Sequence, residues 1–444
     1  MTHMLDHKKV LKSFIEQKDY MEDKIHHGIE TNRKGYCRIN LTDAEGNPVR
    51  DAKIRVKQLS HDFLFGCNIF KLGCFPTAEE NAKYEENFLN LFNYAIVPFY
   101  WDTFEPENGK PRFEKDSPFI DRRPPAEAVV EFCKEHGLAM KGHCLYWALM
   151  APQWLPENFE ETKPYITRRM KQIAQRYDGV MESFDVVNES AYKKLPINEY
   201  SKAVRVQNHA PAMNGDYVEW CYKQADRMFW ESKLNINEVT DVWRVPVKEN
   251  SLYWLQIDSL LRRGCRIDQI GLQYHLMYAD PEKAYTVTDD LFNPQQLYRV
   301  MDCYGKFGLP HSVSEISIFG QDEELQAEIL RNLYRIWFSH PNSKSIVYWN
   351  MGDNCFINEP GWDETRFKGG ICDKDGRRKP AYQALNELIN KEWHTEVTLD
   401  TDEDYAWFKG FYGKYEITAV HEGKEVKRIV HFTKDGFEGY NLAF

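Results

Sequence analysis

No run of 18 or more apolar residues occurs in the 444-residue chain, so no segment reads as a membrane-spanning helix. The opening stretch, MTHMLDHKKVLKSFIEQ, has no continuous apolar core of the kind a secretory signal carries. A cytoplasmic setting is therefore expected, or a secreted one if a signal has been removed. Basic charge is in shortfall: 57 Lys and Arg stand against 68 Asp and Glu, a net charge of −11. A nucleic-acid partner needs clustered Lys and Arg on its binding face, so that class is set aside. None of the ten cysteines pairs at CxxC spacing, which removes the compact zinc and dithiol motifs. Several, such as Cys133 and Cys221, sit in apolar stretches and read as buried, reduced thiols. No GxGxxG or GxxxxGK[ST] motif follows a candidate strand, which argues against an open nucleotide-binding sheet.

What the chain does have is aromatic surface: 14% of its residues, including 12 Trp and 25 Tyr. Most of it serves a large core, and the surplus also suits sugars, whose C–H faces pack on flat rings. Residues 5–29 place Val10, Leu11, Phe14, Ile15, Met21, Ile25 and Ile29 at helical spacing, which predicts an amphipathic helix docked on a larger body. Alternation over 36–41 and 52–56, around the turn Glu45-Gly46-Asn47-Pro48, predicts two strands.

From residue 62 to 391 apolar strands alternate with helical periods. Candidate strands lie at 63–67, 94–99, 138–145, 182–188, 234–239, 269–275, 312–318 and 344–349. Helices follow, for example over 325–336, and a last one starts at Pro380, a favoured first-turn residue. Eight such units predict an α/β fold, a (β/α)8 TIM barrel. After Trp393 the period returns to two, with strands expected at 397–399, 405–411, 415–421 and 427–432. Neither terminal β region is large enough to make its own core. The expected organisation is an N-terminal helix and β segment at 1–61, a barrel at 62–391, and a C-terminal β segment at 392–444. The last is expected to pair with residues 35–60 in one small accessory β-sandwich.

Catalytic groups of such barrels project from the carboxyl ends of the strands. Here those ends read Gly142-His143-Cys144-Leu145-Tyr146-Trp147, Asp185-Val186-Val187-Asn188-Glu189, Gln273-Tyr274-His275, Ser314-Glu315 and Tyr348-Trp349-Asn350. Glu189 and Glu315 supply two carboxyl groups on one rim. Glycoside cleavage needs one protonated carboxyl to donate to the leaving oxygen and one ionised carboxylate; at roughly 5–5.5 Å separation the latter attacks the anomeric carbon and configuration is retained. Burial and mutual repulsion would drive their pKa values apart.

These segments resemble the motifs of glycoside hydrolase family 10. Phe184-Asp185-Val186-Val187-Asn188-Glu189 is similar to that family's WDVVNE, and 142–147 is similar to GHTLVWH, with Pro152-Gln153-Trp154 after it as in PSW. Residues 270–276 resemble GIGxQxHL, and Ser314-Glu315-Ile316-Ser317-Ile318 resembles TELDI. Trp349 matches the Trp of strand 8. The motifs keep the family's order over roughly residues 62–391. The resemblance implies a retaining hydrolase of β-1,4-xylan or related hemicellulose that needs no cofactor or metal. It implies Glu189 as acid/base, Glu315 as nucleophile and Asn188 on the sugar 2-hydroxyl. His143, Trp147, Gln273, His275 and Trp349 would line the same subsite.

Three departures stand out. A His of the family is Ala148 here, and the Asp that supports the strand-6 His is Ser317. The family's ENxMKW at strand 2, which holds the next sugar, is replaced by Val97-Pro98-Phe99-Tyr100-Trp101. Phe99, Tyr100 and Trp101 then become candidate sugar-facing rings, with Trp101 reading as either rim or core. Trp362 is a candidate for the cleft border. The alternatives are a glycan-binding protein on a catalytically altered barrel and a retaining glycosidase for a non-xylan glycan. A metal-dependent hydrolase finds no HxH or Asp/His cluster at the strand ends.

Overall fold

The computed structural model describes residues 5–156, 158–191, 217–244, 251–359, 362–436 and 439–444. Two strands come first, β1 (Lys34–Thr42) and β2 (Ala52–His61). The barrel strands follow: β3 (Leu64–Asn68), β4 (Tyr94–Pro98), β5 (Ala139–His143) and β6 (Ser183–Asn188). They continue with β7 (Lys233–Glu238), β8 (Gln269–Leu276), β9 (His311–Ile318) and β10 (Ser343–Tyr348). All pair in parallel, and β10 returns to β3, closing the barrel. These are the eight expected strands, each within two residues of its expected ends. They were legible because a barrel strand is buried on both faces and so reads as an unbroken apolar run; every residue of β4, β6 and β9 is buried.

Several helices between the strands start on side-chain caps that satisfy the first free N–H groups. Thr77 and Glu80 form a reciprocal capping box, and Ser251, Asn293 and Asp322 cap the helices Leu252–Arg262, Pro294–Gly305 and Glu323–Ser339.

The N-terminal helix is interrupted. It runs as His7–Val10, Lys12–Glu16 and Lys18–Asn32, because Leu11 and Gln17 leave helical geometry. The breaks let Val10, Leu11 and Phe14 all turn into the barrel's helical layer, where Phe14 meets Phe292 at 5.8 Å. Glu22 and Arg335 clamp the last piece bidentately, at 2.8 and 2.5 Å.

A short hairpin, β11 (Asn358–Glu359) with β12 (Trp362–Asp363), follows the barrel's last strand. The chain ends in β13 (Glu396–Thr401), β14 (Tyr405–Phe411), β15 (Gly413–His421), β16 (Lys424–Phe432) and β17 (Tyr440–Ala443). Each N-terminal strand is internal to a sheet made otherwise of C-terminal strands. β1 lies between β14 and β17, and β2 between β13 and β15, with β16 outside β15. Ile39, Ile54, Val56, Phe408, Ile417 and Phe432 from both sheets share one core. Neither end of the chain can complete this sandwich alone. β17 was not expected: four residues are too few to show a period. Among the described residues no helix is long and apolar enough to cross a membrane, and no group of three His, Cys, Asp or Glu is placed to hold a metal ion.

Candidate active site

Side chains from the carboxyl ends of β5 to β9 converge on Glu189 and Glu315. Glu315 projects from β9 and is buried, 4% exposed. Its Oε1 accepts from Nδ2 of Asn237 at 2.7 Å and from Nε2 of Gln273 at 3.1 Å, and its Oε2 meets Nε2 of His275 at 3.2 Å. Glu189 is the first residue past β6 and adopts a left-handed backbone, φ 53°. Such a conformation is costly for a residue with a Cβ and is found where the surroundings hold it in place. Here its N–H is held by the Asn237 carbonyl at 3.0 Å.

One nitrogen joins the two carboxyl groups. Nε2 of Gln273 donates at 3.1 Å to Oε1 of Glu189 and at 3.1 Å to Oε1 of Glu315, so those oxygens are no farther apart than twice that distance.

The two groups are driven to opposite charge states. Burial, then the negative charges of Glu315 and Glu238, push the Glu189 carboxyl up to about 8. Burial pushes Glu315 the same way. The His275 hydrogen bond and the charges of His143, His275 and Lys141 outweigh it, and the group ends below its ordinary value. The supporting charges form a buried chain: Lys141 lies 2.8 Å from Asp185, Asp185 is 2.7 Å from Nδ1 of His143, and Nε2 of His143 is 3.9 Å from Glu315. Burial would raise Asp185, but Lys141 and His143 hold it down as a carboxylate. Gly142 permits this approach of strands, since a Cβ there would meet the Phe184 ring at 2.3 Å.

Most expected site residues meet here. Asn188 accepts from Asn237 at 2.8 Å, which fixes its amide beside Glu189. Trp349 packs edge-on to His143 and Phe70, each at 5.3 Å. Tyr100 touches His143 at 5.3 Å and Trp147 at 5.5 Å. Ser317 still meets this histidine: its hydroxyl lies 3.1 Å from Nδ1 of His275. A hydroxyl both donates and accepts, so it satisfies either tautomer.

Two expectations fail. Trp101 does not face the site. It begins the short helix Trp101–Phe104, is 2% exposed, gives its N–H to Glu105 at 2.9 Å and packs on Tyr146, Trp154 and Arg169. Phe99 likewise packs against Phe104, Tyr177 and Phe184 in the core. Only Tyr100 of that run reaches the site. The Trp362 side chain lies outside the described residues. Sequence reading places Lys141 in the strand end that leads to His143 but gives it no role, and it missed Asn237, which reading the end of β7 as the others were read would have found.

The sequence profile of the family described as glycosyl hydrolase family 10 matches residues 77–388. The anti-sigma-I factor RsgI6 of Acetivibrio thermocellus is 24% identical over 90% of the chain, which spans about half, 47%, of that protein. Endo-1,4-beta-xylanase B of Thermotoga neapolitana is 26% identical over 74% of the chain and 88% of its own length. Among solved structures, xylanase 10B from Thermotoga petrophila RKU-1 in complex with xylobiose superposes with a TM-score of 0.57 at 22% identity, covering 74% of this chain and 95% of the other. That likeness shows the fold. A family profile that covers well over half of the residues, on a closed barrel with these strand ends, makes the chain a member of glycosyl hydrolase family 10.

Proposed function

We propose that the chain is a retaining hydrolase of β-1,4-linked xylan-type oligosaccharides, with Glu189 as acid/base and Glu315 as nucleophile. The observation that carries this reading is the Gln273 amide between two carboxyl groups of opposite charge preference. It keeps one oxygen of each carboxyl within twice 3.1 Å of the other, which supports the roughly 5–5.5 Å spacing of a retaining pair over the roughly 6.5–9.5 Å of an inverting one. The substrate class rests on the names of relatives, such as the Thermotoga neapolitana xylanase.

In the first step an oxygen of Glu315 attacks the anomeric carbon while Glu189 gives its proton to the leaving oxygen. In the second, Glu189 takes a proton from water, which displaces Glu315. Asn237, Gln273 and His275 hold Glu315 as an anion aimed at one point, and Asn188 presents its amide to the 2-hydroxyl. His143, Trp147 and Trp349 wall the subsite.

The pH dependence follows from these assignments. Glu315 must be ionised and its pKa is lowered, so the acid limb of kcat/KM should lie below the ordinary Glu range. Glu189 must be protonated, so the basic limb should lie near 8. A profile already falling through pH 5 to 6 would contradict the Glu189 assignment.

Substrate length gives a second test. The only ring the rim after β4 offers is Tyr100, with no amide or ammonium for a plain xylose in the next subsite. Each buried hydroxyl left unpaired costs about 1–3 kcal/mol, so kcat/KM on linear xylo-oligosaccharides should stay nearly flat with length. A steep rise from two to six units would show that this subsite grips unsubstituted xylose.

A second reading, glycan binding without turnover, draws on Ala148, the rebuilt rim and the relative named as an anti-sigma factor. It ranks lower because the two carboxyl groups keep opposite charge preferences.

A further inference from the structure

Two consecutive arginines, Arg122 and Arg123, stand beside Tyr100 at the rim where β4, β3 and β10 end. Arg122 has a left-handed backbone, φ 59°, as does Asn350, φ 72°, directly after Trp349. The two are joined: Nη2 of Arg122 donates to Oδ1 of Asn350 at 3.0 Å, and Asn68 donates to the same oxygen at 3.1 Å. Arg122 also donates from Nε to the Cys355 carbonyl at 2.7 Å. Arg123 lies over the Tyr100 ring, 4.3 Å from its centre, and 5.4 Å from that of Phe70.

Neither guanidinium has an ion-pair partner among the described residues, although the chain is strongly acidic. Asp102 and Glu359 are the acidic side chains whose charge reaches Arg123, and neither pairs with it. Burying an unpaired cation is costly unless its donors are used. The other two buried arginines without ion pairs spend most of theirs on carbonyls: Arg112 on those of Pro118, Thr103 and Arg123, and Arg169 on those of Leu145, Phe99 and Cys144, with Nη1 of Arg169 left over. They are structural ties. The Arg123 guanidinium makes a single hydrogen bond, from Nη1 to the Arg122 carbonyl at 2.8 Å. Its Nε is buried without an acceptor, and so is Nδ2 of Asn350. Arg122 and Arg123 are 7% and 9% exposed, so each keeps a thin edge accessible. The Tyr100 ring connects them to the site, for its hydroxyl feels the charge of Glu315 and of both guanidinium groups.

We propose that Arg122 and Arg123 form a carboxylate-binding subsite next to the cleavage point, which takes the uronic acid unit of an acidic glycan. The planar fork of a guanidinium matches a carboxylate with two parallel hydrogen bonds, and stacking on Tyr100 fixes its plane. This deepens, and rests on, the reading of the site as a hydrolase of xylan-type glycans. It also supplies what the rebuilt rim after β4 lacks, a grip on the neighbouring sugar, and makes that grip selective for charge.

The test uses xylo-oligosaccharides in pairs that differ only at one carboxylate: a uronic acid unit and its carboxyl-reduced, neutral form. One pair carries the unit as a branch, the other within the chain. Calorimetric titration into the Glu315→Ala protein reads binding without turnover. The acid form should bind at least about tenfold more tightly than the neutral form in one pair, which identifies the source of the carboxylate. Arg123→Gln should bring that ratio close to one. Equal affinities within both pairs overturn the proposal, as does a preference that persists in both Arg123→Gln and Arg122→Gln. The comparison of acid with neutral ligand needs no arginine variant, so it decides even if those fail to fold. Cleavage by the unaltered protein is scored separately. Preference without cleavage of either member removes the hydrolase reading and keeps the subsite; cleavage without preference does the reverse.

Discussion

Glu315→Ala should lower kcat/KM on an aryl β-xyloside by roughly four orders of magnitude or more, because it removes the group on which the covalent intermediate forms. The structure also says what a milder variant leaves behind. Glu315→Gln keeps the shape of the side chain, but half of its head becomes a donor. Asn237 and Gln273 both donate to Oε1, and His275 faces Oε2, so the amide oxygen keeps the first two bonds only with its NH2 turned to His275, and in either orientation no carboxylate remains to attack. Its activity should fall as far as that of the Ala variant. A Glu315→Gln protein within about tenfold of the wild type would mean that the charge is not used.

Glu189→Ala should split substrates by their leaving group. On a xylo-oligosaccharide, whose departing hydroxyl needs a proton, kcat/KM should fall by roughly 10²–10⁴-fold, the usual contribution of a positioned acid. On an activated nitrophenyl glycoside the loss in kcat/KM should be small, since that oxygen departs without help. Comparing kcat/KM isolates the first chemical step. Equal losses on both substrates would remove Glu189 from the acid role and leave it a supporting charge. The same variant should abolish the basic limb near pH 8, because that limb belongs to the Glu189 carboxyl.

The sequence revealed the barrel and its two carboxyl groups because both follow simple rules. Strands buried on two faces read as apolar runs, and the chemistry sits where those runs stop. It was less informative where a strand gives way to irregular chain. After Pro98 the strand ends, so nothing in Phe99-Tyr100-Trp101 says which ring points where; packing against Phe184, Tyr146 and Arg169 decides it. The breaks at Leu11 and Gln17 are equally silent, because the apolar spacing continues through them. Ser317 looked like a loss beside the family's Asp, yet a hydroxyl at 3.1 Å still orients His275. Arg122 and Arg123 carry no local pattern. Their meaning comes from Tyr100, Asn350 and the absence of a pairing carboxylate among the described residues, all of which are tertiary facts.

The central assignment is that Glu315 covers one face of the anomeric carbon and Glu189 serves the departing oxygen. Azide added to the Glu315→Ala protein tests it most directly, since the small anion fits the space that the lost carboxylate leaves. With an activated aryl β-xyloside, proton NMR of the product should show an α-configured glycosyl azide forming at a rescued rate. A β-configured azide, or no azide product while turnover stays at the wild-type level, would contradict the assignment.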